Sequence, residues 1–307
     1  MKELRNLSHS VHDRLLNLAH RDQQPYDLVL VRYALERLLY RLSCSEYRGR
    51  FVLKGAFLFA ARREAALRPT RDLDLLGYGS PDVATLVNVF TALCAVDVPD
   101  DGLEFLAAAV RGDDIREGAV YHGVRIHLTA CLANALIPLQ VDIGFGDAIT
   151  PPPEALDFPT LLDFPAPHVL AYPKPVVVAE KFEALVTLGL ANSRMKDFYD
   201  LWMLAQRSSF DGEVLRQSLQ ATFNRRQTPL PADVPLALTP LFAEDRVKQT
   251  QWAAFIHKSR LQAPGLTLVS LVPLLAAFLV PPVQAAAQGR AYAATWPPGG
   301  PWRDTTG

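Results

Sequence analysis

The sequence predicts an α+β protein: a mixed α/β first half followed by a mainly helical second half. Three observations carry this. Before residue 150, short β-leaning runs alternate with segments of helical period. A proline-dense stretch, TPPPEALDFPTLLDFPAPH at 150–168, then breaks the chain. Beyond it the helical pattern continues to about residue 287. The expected organisation is 1–160 for N-terminal helices plus the α/β domain, 161–288 for the helical domain, and 289–307 as a disordered tail.

Taken in order, residues 8–20 place Val11, Leu15, Leu16 and Leu18 for a short helix, and Tyr26–Ser43 forms a second, with Leu28, Val31, Leu35, Leu38, Leu39 and Leu42 inward. FVLK (51–54) is a strand, Gly55 a sharp turn, and about 56–65 a helix. DLDLLGY (72–78) is the next strand, and PDVATLVNVFTALC (81–94) a helix with proline near its start. YHGVRIHLTA (121–130) and LIPLQVDIGFG (136–146) are further strands, the first alternating Val124, Ile126 and Leu128. After the connector, YPKPVVVAEKFEALVTLGL runs from a strand end into a helix, and SRMKDFYDLWMLAQ begins another.

The 307 residues are 50% hydrophobic with a formal net charge of −1, enough for a real core and unlike a protein that coats nucleic acid. Three cysteines (Cys44, Cys94, Cys131) lack metal-type spacing and give no disulfide framework. The N-terminus has no signal-peptide apolar centre, so a cytoplasmic protein without a membrane partner is expected. LTLVSLVPLLAAFLVPPV (266–283) is nearly long enough to span a bilayer, but Pro273 interrupts it and a Pro-Pro pair closes it; a buried helix is the better reading.

The chemistry centres on RPTRDLDLL (68–76). On a strand Asp72 and Asp74 face the same way, about 7 Å apart along the chain. Like charges so placed call for a cation. One candidate is Mg²⁺, with Asp142 of QVDIGFGD as third carboxylate, since this ion takes oxygen ligands shared with substrate phosphates. The plainer alternative is neutralisation by Arg68 or Arg71. Gly55 opens a helix N-terminus where phosphate is favoured, and Lys54 adds a charge there. In the helical half, Asp197 and Asp200 share a helix face, as do Lys196 and Asp200, an arrangement that also suits an exposed salt-bridged surface. Lys181, Arg194 and Asp197 become phosphate-facing if this half folds over the first. Scattered basic residues (Arg194, Lys196, Arg225, Arg226, Arg246, Lys248, Lys258, Arg260) could line an RNA groove, FNRRQTP being the densest cluster.

In order, Lys-Gly, Arg-x-Thr-x-Asp-x-Asp, a strand ending Asp-Ile-Gly, Ala-Glu-Lys and Arg-x-Lys-Asp-x-x-Asp resemble the AbiEii/AbiGii toxin family, over about residues 30–280. The resemblance implies a nucleotidyltransferase-like mixed-sheet core, a helical C-terminal lobe and nucleotide bound between them. It implies a Mg-dependent nucleotidyltransferase toxin of a toxin–antitoxin or abortive-infection system, active in phage defence. Such an enzyme moves a nucleotide from a nucleoside triphosphate to RNA, tRNA in characterised relatives. By the same analogy Asp72 and Asp74 hold Mg²⁺ and triphosphate, Lys181 contacts phosphate, and Asp197 is a further acidic residue. Lys54, Gly55, Ala56, Arg194, Lys196 and Asp200 complete the nucleotide-binding set, and an AbiEi-type antitoxin is the expected partner. The chain departs from the family at Lys54-Gly55-Ala56-Phe57, where the family has Lys-Gly-Gly-Ser/Thr. Ala56 resists positive φ and Phe57 adds bulk without a hydroxyl. A catalytically degenerate binding protein, acting through a protein or RNA partner, is the alternative reading.

Overall fold

The computed structural model describes residues 2–61, 70–117, 121–259, 261 and 265–305. The chain divides into two units: residues 1–146 with 154–171, and residues 147–153 with 172–307. The expected single divide near residue 160 is therefore replaced by an interleaved one. Part of the proline-dense stretch returns to the first unit as two strands.

Unit 1 begins with helix α1 (Lys2–Arg21), which buries Val11, Leu15 and Ala19 at four-residue spacing. Helix α2 (Tyr26–Ser43) has the predicted bounds, and it is buried nearly all round, including charged side chains. Those charges are paired. Arg41 forks onto Asp101 at 2.7 and 3.2 Å. Glu36 meets Arg37 at 2.9 Å and accepts from the Leu161 backbone N–H. Strand β1 (Phe51–Lys54) leads through Gly55 into α3 (Phe57–Ala61); the rest of the expected helix to residue 65 lies outside the described residues. Strand β2 (Asp72–Gly77), helix α4 (Val83–Cys94, capped by Asp82 on the Thr85 N–H) and strands β3 (Leu103–Phe105), β4 (Arg111–Glu117), β5 (Tyr121–Leu132), β6 (Ala135–Phe145), β7 (Glu154–Asp157) and β8 (His168–Ala171) follow.

These eight strands form one mixed sheet in the order β3-β5-β6-β2-β1-β8-β7, with β4 also paired to β5. The β2–β6 and β1–β8 pairs are parallel and the others antiparallel. Strand period two then decides everything about its faces. Leu53, Leu75, Ile143 and Val124 are successive register partners and all buried, as are Leu73, Val141 and Ile126. Helix α4 lies on this apolar face: a Cβ on Gly112 would sit 2.8 Å from Val83 and 3.0 Å from Val87.

Unit 2 contains helices α5 (Lys174–Leu188), α6 (Met195–Arg207), α7 (Gly212–Arg226), α8 (Pro240–Ala243), α9 (Arg246–Lys258) and α10 (Leu268–Ala287). Helix α10 is long and apolar enough to cross a membrane, yet it packs against α6, α7, α8 and α9, with 56% of its most apolar window buried. It also runs through Pro273, Pro281 and Pro282 rather than ending at the Pro-Pro pair.

The expected disordered tail is instead folded. Strands β10 (Ala294–Trp296) and β11 (Arg303–Asp304) join β9 (Phe210–Asp211) in a small sheet. Tryptophan explains the difference, since burying an indole with its N–H satisfied outweighs the surrounding proline and glycine. Trp296 is buried and donates to the Ala205 carbonyl at 2.8 Å, and Trp302 donates to Phe278 at 3.0 Å. The two indoles and Phe278 pack ring to ring.

Candidate active site

The other face of the unit 1 sheet is polar, and register lines its side chains into rows. Lys54 pairs with Asp74, Asp74 with Asp142, Asp142 with Arg125, and Arg125 with Asp113. The neighbouring row runs Asp72, Gln140, His127 and Arg111. Asp72 and Asp74 therefore share one face, as the sequence predicts, and both are half-buried. Asp74 lies between Lys54 and Asp142 in the register.

The turn after β1 is fitted to Asp74. Gly55 has φ +68°, and a Cβ there would lie 2.0 Å from Asp74 Oδ2. Only glycine meets both demands. Ala56 stays out of the left-handed region and is buried. Phe57 turns into the core and stacks on Phe158 with ring centroids 4.8 Å apart. The bulk expected in the phosphate turn is thus absorbed by packing, not presented to a ligand.

The expected third metal ligand is otherwise engaged. Arg125 Nε donates to Asp142 Oδ1 at 2.8 Å and its Nη2 to Oδ2 at 2.8 Å, while Gln140 Nε2 reaches both oxygens at 3.2 and 3.3 Å. Among the described residues, no group of three or more His, Cys, Asp or Glu side chains could hold a metal ion. Two carboxylates on one strand face, fitted against a glycine turn, still suit Mg²⁺, which commonly binds one or two carboxylates together with substrate phosphates. The plainer neutralisation by Arg71 is not what the structure shows: Arg71 pairs with Asp27. Arg68 lies outside the described residues.

Unit 2 carries its own charged cluster. Lys181 on α5 donates to Asp197 Oδ1 at 2.7 Å and Asp200 Oδ2 at 2.8 Å, both on α6. Arg194 Nε lies 2.8 Å from Asp197 Oδ2. Burial works to raise the Asp197 carboxyl, but the charges of Lys181 and then Arg194 overcome it, leaving it below the ordinary carboxylate value.

A family model described as "Nucleotidyl transferase AbiEii toxin, Type IV TA system" matches residues 37–287. The chain belongs to the AbiEii family. Among solved structures it is similar to the JHP933 protein of Helicobacter pylori, at 13% identity over 84% of this chain and 90% of that one, with a TM-score of 0.47. It is also similar to an H. pylori protein provisionally assigned as a nucleotidyltransferase, at 13% identity over 84% and 92%, with a TM-score of 0.45. No curated protein matches it. Membership places the chain among nucleotidyltransferase toxins of toxin–antitoxin systems and implies a protein antitoxin as partner.

In this AbiEii chain several predicted contacts fall elsewhere. Asp200 turns inward to Lys181, whereas Lys196, its expected partner, is exposed. Lys248, expected in an RNA groove, is buried and donates to the Asn192 carbonyl at 2.9 Å. Arg226 is held by Glu183 at 2.6 Å, with Glu180 and Asp147 at 3.6 and 3.7 Å. Thr187 and Thr228 also donate to Glu183, and although burial raises that carboxyl, these donors and Arg226 bring it below its usual value. Of the FNRRQTP pair only Arg225 is exposed; Arg260 lies outside the described residues. Sequence reasoning missed Arg125, Gln140 and Glu183. The alternation in YHGVRIHLTA already puts Arg125 and His127 on the polar face, and that signal could have found the first.

Proposed function

We propose that this AbiEii-family protein transfers a nucleotide from a nucleoside triphosphate to an RNA hydroxyl, tRNA being the favoured acceptor, in a Mg²⁺-dependent reaction. The observation that carries this reading is the pairing of Asp72 and Asp74 on one face of β2 with the Gly55 turn fitted against Asp74. Bound Mg²⁺ would neutralise the triphosphate and the departing pyrophosphate. The acceptor oxygen bonds to the α-phosphorus, the bond from that phosphorus to the β-phosphate oxygen breaks, and the hydroxyl proton leaves to solvent. The protein's part is placement and charge: Asp72 and Asp74 would hold the cation, and Lys54, beside Asp74 in register, adds positive charge at the turn. Lys181 and Asp197 keep the phosphate-facing and acidic roles that the family resemblance assigns, with Arg194 beside them. The setting is the cytoplasm, where triphosphates and tRNA are available, in abortive infection by phage with an AbiEi-type antitoxin as counterpart.

Purified protein incubated with labelled triphosphates and total tRNA should transfer label only with Mg²⁺, and Asp74→Asn should lower the rate by about 100-fold or more. No transfer with any triphosphate would defeat the proposal. Calorimetry on the same pair of proteins separates catalysis from binding, because triphosphate affinity in the wild type should depend on Asp74.

The two neighbouring arginines should behave differently. Arg225→Ala is expected to weaken RNA binding and shallow its salt slope by about 0.7–0.9. Arg226→Ala should instead lower the melting temperature, because it unpairs Glu183. Equal effects of both on the salt slope would refute this division.

A further inference from the structure

Asp74 and Asp142 are register partners on parallel strands, which lie about 4.8 Å apart. Such a pair of carboxylates repels unless positive charge is supplied to each. Along their row the signs run plus, minus, minus, plus, from Lys54 through Asp74 and Asp142 to Arg125. Each acid therefore has a cation as its outer register partner. For Asp142 the match is specific: a two-pronged guanidinium–carboxylate fork with both contacts at 2.8 Å, backed by the Gln140 amide. Fork geometry of this kind is among the stronger side-chain interactions, and it occupies both carboxylate oxygens.

We infer that Arg125 is a built-in cation that withholds Asp142 from any divalent ion, so that, among the described residues of the sheet, Asp72 and Asp74 are the carboxylates that hold it. Arg125 is then a positioning residue: it acts through Asp142 and fixes where on the polar face an ion can sit. This rests on the nucleotidyl-transfer reading above and deepens it. With only two protein carboxylates, the ion depends on substrate phosphates to complete its shell, so ion and triphosphate bind together.

The test is Mn²⁺ titration of the full-length protein, followed by the electron paramagnetic resonance of the free ion, with and without triphosphate. Asp74→Asn should weaken Mn²⁺ binding by about tenfold or more, whereas Asp142→Asn should leave it within about twofold of wild type. Arg125→Gln, which releases Asp142, should tighten binding without triphosphate by about threefold or more, or add a second ion. Arg125→Lys, which retains the charge, should resemble wild type, and combining Arg125→Gln with Asp142→Asn should restore wild-type affinity. Thermal unfolding of each variant checks folding, and Asp142→Asn with Arg125→Lys decides the matter if Arg125→Gln does not fold. Weakening in Asp142→Asn comparable to that in Asp74→Asn overturns the inference alone, as does unchanged binding in a folded Arg125→Gln. Wild-type protein that binds no Mn²⁺ even with triphosphate overturns the metal reading and this inference with it.

Discussion

Lys181→Met is expected to destabilise unit 2 by about 3–5 kcal/mol, the cost typical of removing one partner from a buried ion cluster. Asp197 and Asp200 have only 2% and 1% of their side-chain surface exposed, and Lys181 has 12%. The lysine joins α5 to α6 through both carboxylates, so its loss strips shared charge from two buried acids at once. Arg194 offsets part of this for Asp197, but that arginine is 44% exposed. Urea unfolding of the variant measures the effect. Adding Asp197→Asn and Asp200→Asn should recover part of the loss, because the acids that needed the cation are then neutral. A loss below about 1 kcal/mol for Lys181→Met would show that the cluster is not structurally important.

The same cluster sets a pH dependence. Asp197 has its carboxyl held below 3.8, its ordinary value, so the folded state binds fewer protons there than the unfolded chain. Its contribution is present in full above the unfolded value and is lost as pH falls through and below 3.8. Asp197→Asn should flatten the acid limb of the stability profile. An unchanged limb would remove this assignment.

Gly55→Ala is the second large effect. At φ +68° an alanine costs about 1–2 kcal/mol in backbone strain. Its Cβ would also come 2.0 Å from Asp74 Oδ2 and 2.5 Å from Asp74 Cγ. The carboxylate must move, and displacing a catalytic group by about 1 Å can cost about 100-fold in rate. Label transfer by this variant should therefore fall as far as in Asp74→Asn while the protein remains folded. Gly189→Ala is the control. Gly189 also has positive φ, +48°, but a Cβ there meets nothing within 4 Å. It should show the backbone cost without the loss of activity. Equal activity in the two alanine variants would refute the coupling of turn and carboxylate.

What could be read from sequence was local. The bounds of α2, the shared face of Asp72 and Asp74, and the turn at Gly55 all follow from helical period, strand alternation and glycine's φ. The ordered motifs carried the family, which the match over 37–287 bears out. Strand β4, RGDDIRE, gave no apolar alternation because it is a charged strand that, among the described residues, pairs on one side only, to β5. Strands β7 and β8 lay hidden in a proline-rich stretch whose pairing partners are remote or separated by a loop.

By itself, then, the sequence determined which residues share a face and which turns need glycine, since these depend on neighbours one to four positions away. Only the tertiary structure decided which charge meets which: Arg125 on Asp142, Lys181 on Asp197 and Asp200, Arg226 on Glu183. A side chain's charge is visible in the sequence, but its partner is chosen by strand register and helix packing, where the cost of leaving a buried charge uncompensated outweighs any local preference.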